Sequence, residues 1–212
     1  MSSVLKGGAT VKIRLLVIVA FGMVVIPILF ASVPALAMDS HIDSLVIQGR
    51  DLVDSGYVQW NKEEMLHGYS LLERAAALAR NNRYPQYYLA YAGYRLMTYG
   101  MSIKEDSIYK EFADPAEKLA EKLVKDYAKL AEPKALLASI YGVEIAHNWT
   151  KSVTLGPESE DLAREALSID STNPRAYIVL GAGKLNTPGI FGGSVSKAVE
   201  YFKESVSLFE SA

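Results

Sequence analysis

Apolar residues recur every three or four positions along most of the chain beyond residue 38, and almost no stretch alternates with period two. That spacing predicts helices with one buried face and argues against a sheet. Ile42, Leu45, Val46, Leu52 and Val53 give a first helix over 39–54, with Gly56 as its stop. Met65, Leu66, Tyr69, Leu72, Ala76 and Ala79 give a second over 61–80, closed by Asn81-Asn82. A third begins near Pro85, and a fourth spans 111–130 with Leu119, Leu123, Tyr127 and Leu130 on one face. Pro133 starts the fifth; Gly156-Pro157 opens a sixth that ends at Asp170. Pro174 begins the seventh, which Ser171, Thr172 or Asn173 can cap, and Ser194 or Ser196 caps an eighth running through Phe209. Short connections between such helices predict an all-α fold.

The amino terminus follows a different rule. Lys6, Lys12 and Arg14 precede an uncharged apolar run that reaches Ala35-Leu36-Ala37 and breaks off at Asp39. A basic head, an apolar middle and small residues at the end predict a secretory signal over residues 1–37, cleaved after Ala37. The competing reading is a retained anchor, because residues 15–37 are long enough to span a bilayer with the basic end inside. Either way residues 38–212 work outside the cytoplasm, in the periplasm or beyond, and membrane contact is confined to residues 15–37 if they stay uncleaved.

Charge then removes one class of partner. All 24 acidic residues and 19 of the 22 basic ones lie beyond Ala37, so that part carries a net charge of −5. Its lysines are scattered, which leaves no electrostatic footprint for nucleic acid. The chain has no cysteine, so disulfides, thiolate metal sites and a cysteine nucleophile are excluded. His41, His67 and His147 share no metal-binding spacing. Glu63-Glu64, Glu105-Asp106 and the group Glu158, Glu160 and Asp161 sit near expected helix starts, where acidic residues favour the macrodipole. No cofactor, metal or catalytic residue is predicted, and the chain reads as non-enzymatic.

Tyrosine is the unusual component. Six of the 13 tyrosines, Tyr84, Tyr87, Tyr88, Tyr91, Tyr94 and Tyr99, crowd the third helix and its start. Core packing, a binding surface and an aromatic-lined ligand cavity are all compatible with that stripe.

The carboxy-terminal segment resembles the tetratricopeptide repeat family. Ala166, Leu167, Asp170 and Asn173 match the end of one repeat. Pro174, Tyr177, Leu180 and Gly181, followed by Ala198 and Phe202, match the next. The run NTPxxFGG before KAxEYFxxS lengthens the turn and resembles a variant found in exported bacterial helical-repeat proteins. This resemblance implies a right-handed superhelix of about four helical pairs, stacked because a single pair buries too little surface. It also implies a concave, mostly apolar binding face. Carried onto this sequence, that face holds Gln86, Leu89, Gly93, Leu96 and Met97, then Lys134, Leu137, Tyr141, Glu144 and Ile145, then Arg175, Ile178, Ala182, Leu185 and Asn186. With Tyr88, Tyr91 and Arg95 of the tyrosine stripe, the expected contact residues are Tyr88, Tyr91, Arg95, Lys134, Tyr141, Arg175, Ile178, Leu185 and Asn186.

The glycine-rich run LNTPGIFGG lacks both the phosphate-loop and the dinucleotide-loop patterns and follows no strand. Asn186-Thr187-Pro188-Gly189 is a turn signal, Ile190 and Phe191 are expected to plug the crevice between the last two helices, and Gly192-Gly193 to allow a tight reversal. The resulting expectation is an adaptor or assembly factor that binds a protein or peptide, possible self-association included. The alternative is a small-molecule-binding protein serving an envelope transporter, with its pocket between Tyr88–Arg95 and the carboxy-terminal pair.

Overall fold

The computed structural model describes residues 35–211, with side chains from Asp39 onward. The segment read as a leader, residues 1–37, falls almost wholly outside the described residues. Apart from the first turns of the first helix, everything described below lies in one compact unit, Ile42–Ala212.

Among the described residues the regular structure is helical, as expected. The helices are α1 (Ala35–Gln59), α2 (Lys62–Leu78), α3 (Arg83–Ser102) and α4 (Asp106–Asp126), followed by α5 (Ala131–His147), α6 (Ser152–Ile169), α7 (Pro174–Asn186) and α8 (Val195–Glu210). Side-chain caps set several starts, because the first N–H groups of a helix lack intrahelical partners. Asn61, Asn82, Asn173 and Ser194 each accept from a backbone N–H of the first turn. Two starts lie earlier than the sequence suggests. α4 begins at Asp106 and not at 111, with Pro115 in its interior, and Pro157, expected to open α6, is an interior residue of it. Each proline removes a single backbone hydrogen bond, and the helices continue across them because their faces pack. The Ser159 hydroxyl of α6, for example, donates to the Ala138 carbonyl of α5 at 2.8 Å. The third acidic group therefore lies inside α6 and not at a helix start, and Glu160 is held there by Arg164 and Lys184.

Consecutive helices pack as four pairs, α1 with α2, α3 with α4, α5 with α6 and α7 with α8. Small residues decide how closely each pair approaches. A Cβ at Gly93 would lie 2.9 Å from Ala116 Cβ, and one at Gly181 would lie 2.6 Å from the Phe202 ring. In the third pair Ala135 and Ala138 face Ala163 and Ala166. The core is uneven as a result. Leucine, methionine and aromatic side chains fill the region from α1 to α5, whereas the buried cluster shared by α5, α6 and α7 is six alanines and Leu180. Less apolar area is buried there, and hydrophobic stabilisation scales with that area.

The loop between α7 and α8 corrects one expectation. Ile190 and Phe191 are 86% and 75% exposed, so they plug nothing. Turn geometry explains the rest of the loop. Gly192 has φ +92°, a Cβ on Gly193 would overlap the Thr187 carbonyl, and Ser194 N–H donates to Lys184 O at 2.8 Å. The two glycines reverse the chain, and the two apolar residues beside them are left outward.

Candidate functional site

The first helices of the pairs bring the tyrosine stripe into a polar cluster. Along α3 the rings of Tyr87, Tyr88, Tyr91 and Tyr94 run in sequence, with successive centroids 5.3, 6.5 and 6.4 Å apart. Edge and tilted contacts of this kind suit the ring quadrupoles. Tyr91 is the hub. Its hydroxyl donates to Asp54 Oδ1 of α1 at 2.7 Å and accepts from Arg95 Nε at 2.7 Å. Arg95 lies over the Tyr57 ring of α1, with Cζ 4.3 Å from its centroid, and 5.0 Å from that of Tyr91. Arg175 of α7 reaches the same Tyr91 ring at 5.2 Å.

A second carboxylate sits on the α7 side. Glu132 of α5 accepts from the Tyr87 hydroxyl at 2.6 Å and, through its other oxygen, from Asn173 Nδ2 at 2.6 Å. Asn173 is 1% exposed because it also caps α7. One side chain thereby fixes both where α7 starts and where Glu132 points. Arg175 stands beside this arrangement, its Nε 3.7 Å from Glu132, too far for a hydrogen bond. Its side chain retains 23% exposure, yet Nε itself is sealed from solvent and has no acceptor. Burial pulls the Arg175 pKa down, but the neighbouring Tyr87 and Glu132 outweigh it, and the guanidinium stays charged. Burial holds the phenols neutral: Tyr87 is pushed far above its ordinary value and Tyr91 up to about 12.

The expected contact residues separate into three groups. Tyr88, Tyr91, Arg95 and Arg175 come together. Lys134 and Tyr141 do not join them. Lys134 turns to Glu165 of α6 at 2.5 Å and is 7% exposed, while Tyr141 is in the core with its hydroxyl towards Glu121 of α4. Ile178, Leu185 and Asn186 are exposed on α7, and Asn186 donates back to the Ala182 carbonyl. Part of the expected apolar lining is absent from the surface, since Gly93, Leu96, Met97 and Leu137 lie in the core. Sequence reasoning missed Asp54, Tyr57, Glu132 and Asn173. Glu132 next to Pro133 reads as an ordinary first-turn acid, and nothing local couples it to Tyr87.

Other polar clusters are structural. His147 closes α5, stacks on Tyr109 with centroids 3.7 Å apart and hydrogen-bonds Asp106 at 2.7 Å, tying α5 to the start of α4. Glu144 is 2% exposed and paired with Lys151 at 2.6 Å. Beside it, burial and the Glu144 charge raise the Glu117 carboxyl to about 7. An acid with a raised folded pKa binds its proton more tightly in the fold, so its contribution to stability falls as pH rises from its unfolded value near 4.5 to about 7. Glu117→Gln is expected to flatten that part of the stability curve, as measured by urea titrations at pH 5 and 7. An unchanged slope would separate Glu117 from it. Among the described residues no three histidine, aspartate or glutamate side chains form a group that could hold a metal ion. The clearest surface hollows, along Val199, Phe202 and Val206 of α8 and around Gln86, Leu119 and Tyr127, do not touch Tyr91.

No family model matches the chain, and no curated protein matches it. Among solved structures it is similar to the HusA haemophore from Porphyromonas gingivalis, at 24% identity over 81% of each chain and a TM-score of 0.60. A second structure, the MamA RS-1 ArsTM double mutant, is 13% identical over 79% of this chain and 96% of that one, with a TM-score of only 0.34. The tetratricopeptide assignment is therefore corrected. The carboxy-terminal matches are mostly alanine, leucine, glycine and aromatic residues, which any close-packed helical pair selects, and no family model supports them. The chain shares the all-helical fold of the haemophore structure.

Proposed function

We propose that the protein is an exported, non-catalytic carrier of a small aromatic molecule, which lies against the tyrosine- and arginine-rich cluster of α1, α3 and α7. The observation that carries this reading is the convergence of Asp54, Arg95 and Arg175, from three helices, on the single ring of Tyr91. Rigid tyrosines offer planar contact area at low entropic cost, and guanidinium groups stack on aromatic systems. The adaptor expectation gives way to this one. The similar solved structure is a haemophore, a small-molecule carrier by name, and of the residues expected to line an apolar peptide groove Gly93, Leu96, Met97 and Leu137 are buried.

A tetrapyrrole is the natural first ligand to test. Its flat, extended surface suits the row of tyrosines, and Tyr57, Tyr88 and Arg95 are the side chains that would cover it. Export rests on the basic head and apolar run before Ala37, and the cargo would pass to a receptor or transporter of the envelope. A right-handed winding of the four pairs belongs to the same proposal, with α1, α3, α5 and α7 on its inner side.

Titrating the purified full-length protein with haem, followed by absorbance, is expected to show saturable binding at one site. Tyr88→Ala combined with Tyr94→Ala should weaken it at about 1–3 kcal/mol per ring, the range measured for aromatic stacking platforms, or about thirtyfold at least for the pair. Wild-type binding that the double variant leaves unchanged would place the site elsewhere; no saturable binding by wild type would remove the tetrapyrrole reading.

A further inference from the structure

A guanidinium has five N–H donors in a planar fork, and burying one without an acceptor is costly. Arg175 does this at Nε. The carboxylate beside it does not satisfy it, because Glu132 is drawn towards Tyr87 and Asn173 and stays beyond hydrogen-bond range of Nε. Glu132 thus supplies charge balance at 3.7 Å without supplying a hydrogen bond. Arg95 is half committed in the same way. Its Nε is spent on the Tyr91 hydroxyl, and a terminal nitrogen stands 3.9 Å from Asp54. Two cationic forks therefore flank one tyrosine ring, each close to an acid that leaves part of the fork unused.

We infer that the carried molecule bears a carboxylate, and that this carboxylate docks on the Arg175 fork beside the Tyr91 ring. The inference rests on the carrier reading above and specifies the chemistry of its ligand. A carboxylate is planar and matches the guanidinium fork with two parallel hydrogen bonds. It is favoured over a phosphate by charge. Asp54 and Glu132 already stand beside Arg95 and Arg175, so the single charge that one carboxylate brings to the fork is repelled less than the two charges of a phosphate group. Arg175 is the anchor because its Nε has no acceptor in the fold, while the 23% of the side chain that stays exposed offers the outer edge of the fork to a ligand in a setting that screens a charge-assisted bond little. The aromatic part of the ligand then extends along Tyr88 and Tyr57, on the Arg95 side.

The test compares a metal-free dicarboxylic porphyrin with its dimethyl ester, so that iron plays no part. Binding to the full-length protein is read from fluorescence quenching, for wild type and for Arg175→Gln and Arg175→Lys. Wild type is expected to prefer the free acid by about tenfold or more, the usual scale for a hydrogen bond to a charged group. In Arg175→Gln that preference should vanish, the affinity ratio of acid to ester falling to about one. Arg175→Lys, which keeps the charge without the fork, should recover only part of it. Far-UV circular dichroism and the melting temperature confirm that the variants are folded. Equal wild-type affinity for acid and ester would overturn the carboxylate anchor and leave the carrier reading standing. An acid preference that survives in Arg175→Gln would overturn the role of Arg175. Failure of wild type to bind either compound would overturn both.

Discussion

Gly68→Ala is expected to lower the melting temperature by about 6–12 °C. The added Cβ would stand 2.5 Å from the Gly49 carbonyl oxygen and 2.9 Å from the Val53 backbone nitrogen. Both obstacles are main chain in the middle of α1, so no rotamer change relieves them and the two helices must separate. Overpacking of this kind costs about 3 kcal/mol, and each kcal/mol moves the midpoint of a domain this size by about 2–4 °C. Gly142→Ala supplies the contrast. It lies within α5, is exposed, and a Cβ there meets nothing within 4 Å. Alanine is a better helix former by about 1 kcal/mol, so that variant should be neutral or more stable. Equal melting temperatures for the two variants would mean that α1 and α2 do not approach as described.

Gly181→Leu should have the next largest effect, and one that reaches function. Its Cβ would meet the Phe202 ring at 2.6 Å. Phe202 is half-buried at the edge of the fold, so it can swing outwards and part of the strain is relieved. The remaining cost is about 2 kcal/mol, from overpacking and from lost contact between α7 and α8. This pair rests on the alanine-rich cluster, the least apolar part of the core. Loosening α7 also shifts the Asn173 cap, and with it Glu132 and Arg175. The measurable result is a lower denaturation midpoint together with weaker porphyrin binding. A normal midpoint would show that the α7–α8 contact does not depend on a small residue at this position.

The helices were legible because period, caps and breakers are local signals. Asn173 and Ser194 were each among the candidate caps, and each does cap. Pro157 was less readable, since whether a proline opens, ends or merely interrupts a helix depends on what packs against the next turn. Gly181 could be recognised as a close-approach position, whereas Gly49 and Gly68 oppose each other across two helices and neither announces its partner. The site divides along the same line. Tyrosines and Arg95 on α3 share one helix and could be grouped by spacing. Arg175 joins them only through the fold, and Asp54 and Glu132 come from helices on either side. Lys134 was carried to the surface by repeat register, but the actual register turns it to Glu165.

Trp60 occupies the turn after α1 with φ +56° and lies 6.3 Å from Tyr57 and 5.5 Å from Tyr99, centroid to centroid. Tyr57 is the ring beneath Arg95. The other tryptophan, Trp149, begins the short turn after α5 and is 77% exposed. The protein therefore carries its own optical reporter. With Trp149→Phe the remaining emission comes from one indole beside the cluster, and a porphyrin bound there would extinguish it by energy transfer. Occupancy could then be followed in unlabelled protein, including the moment at which cargo leaves for its receiver.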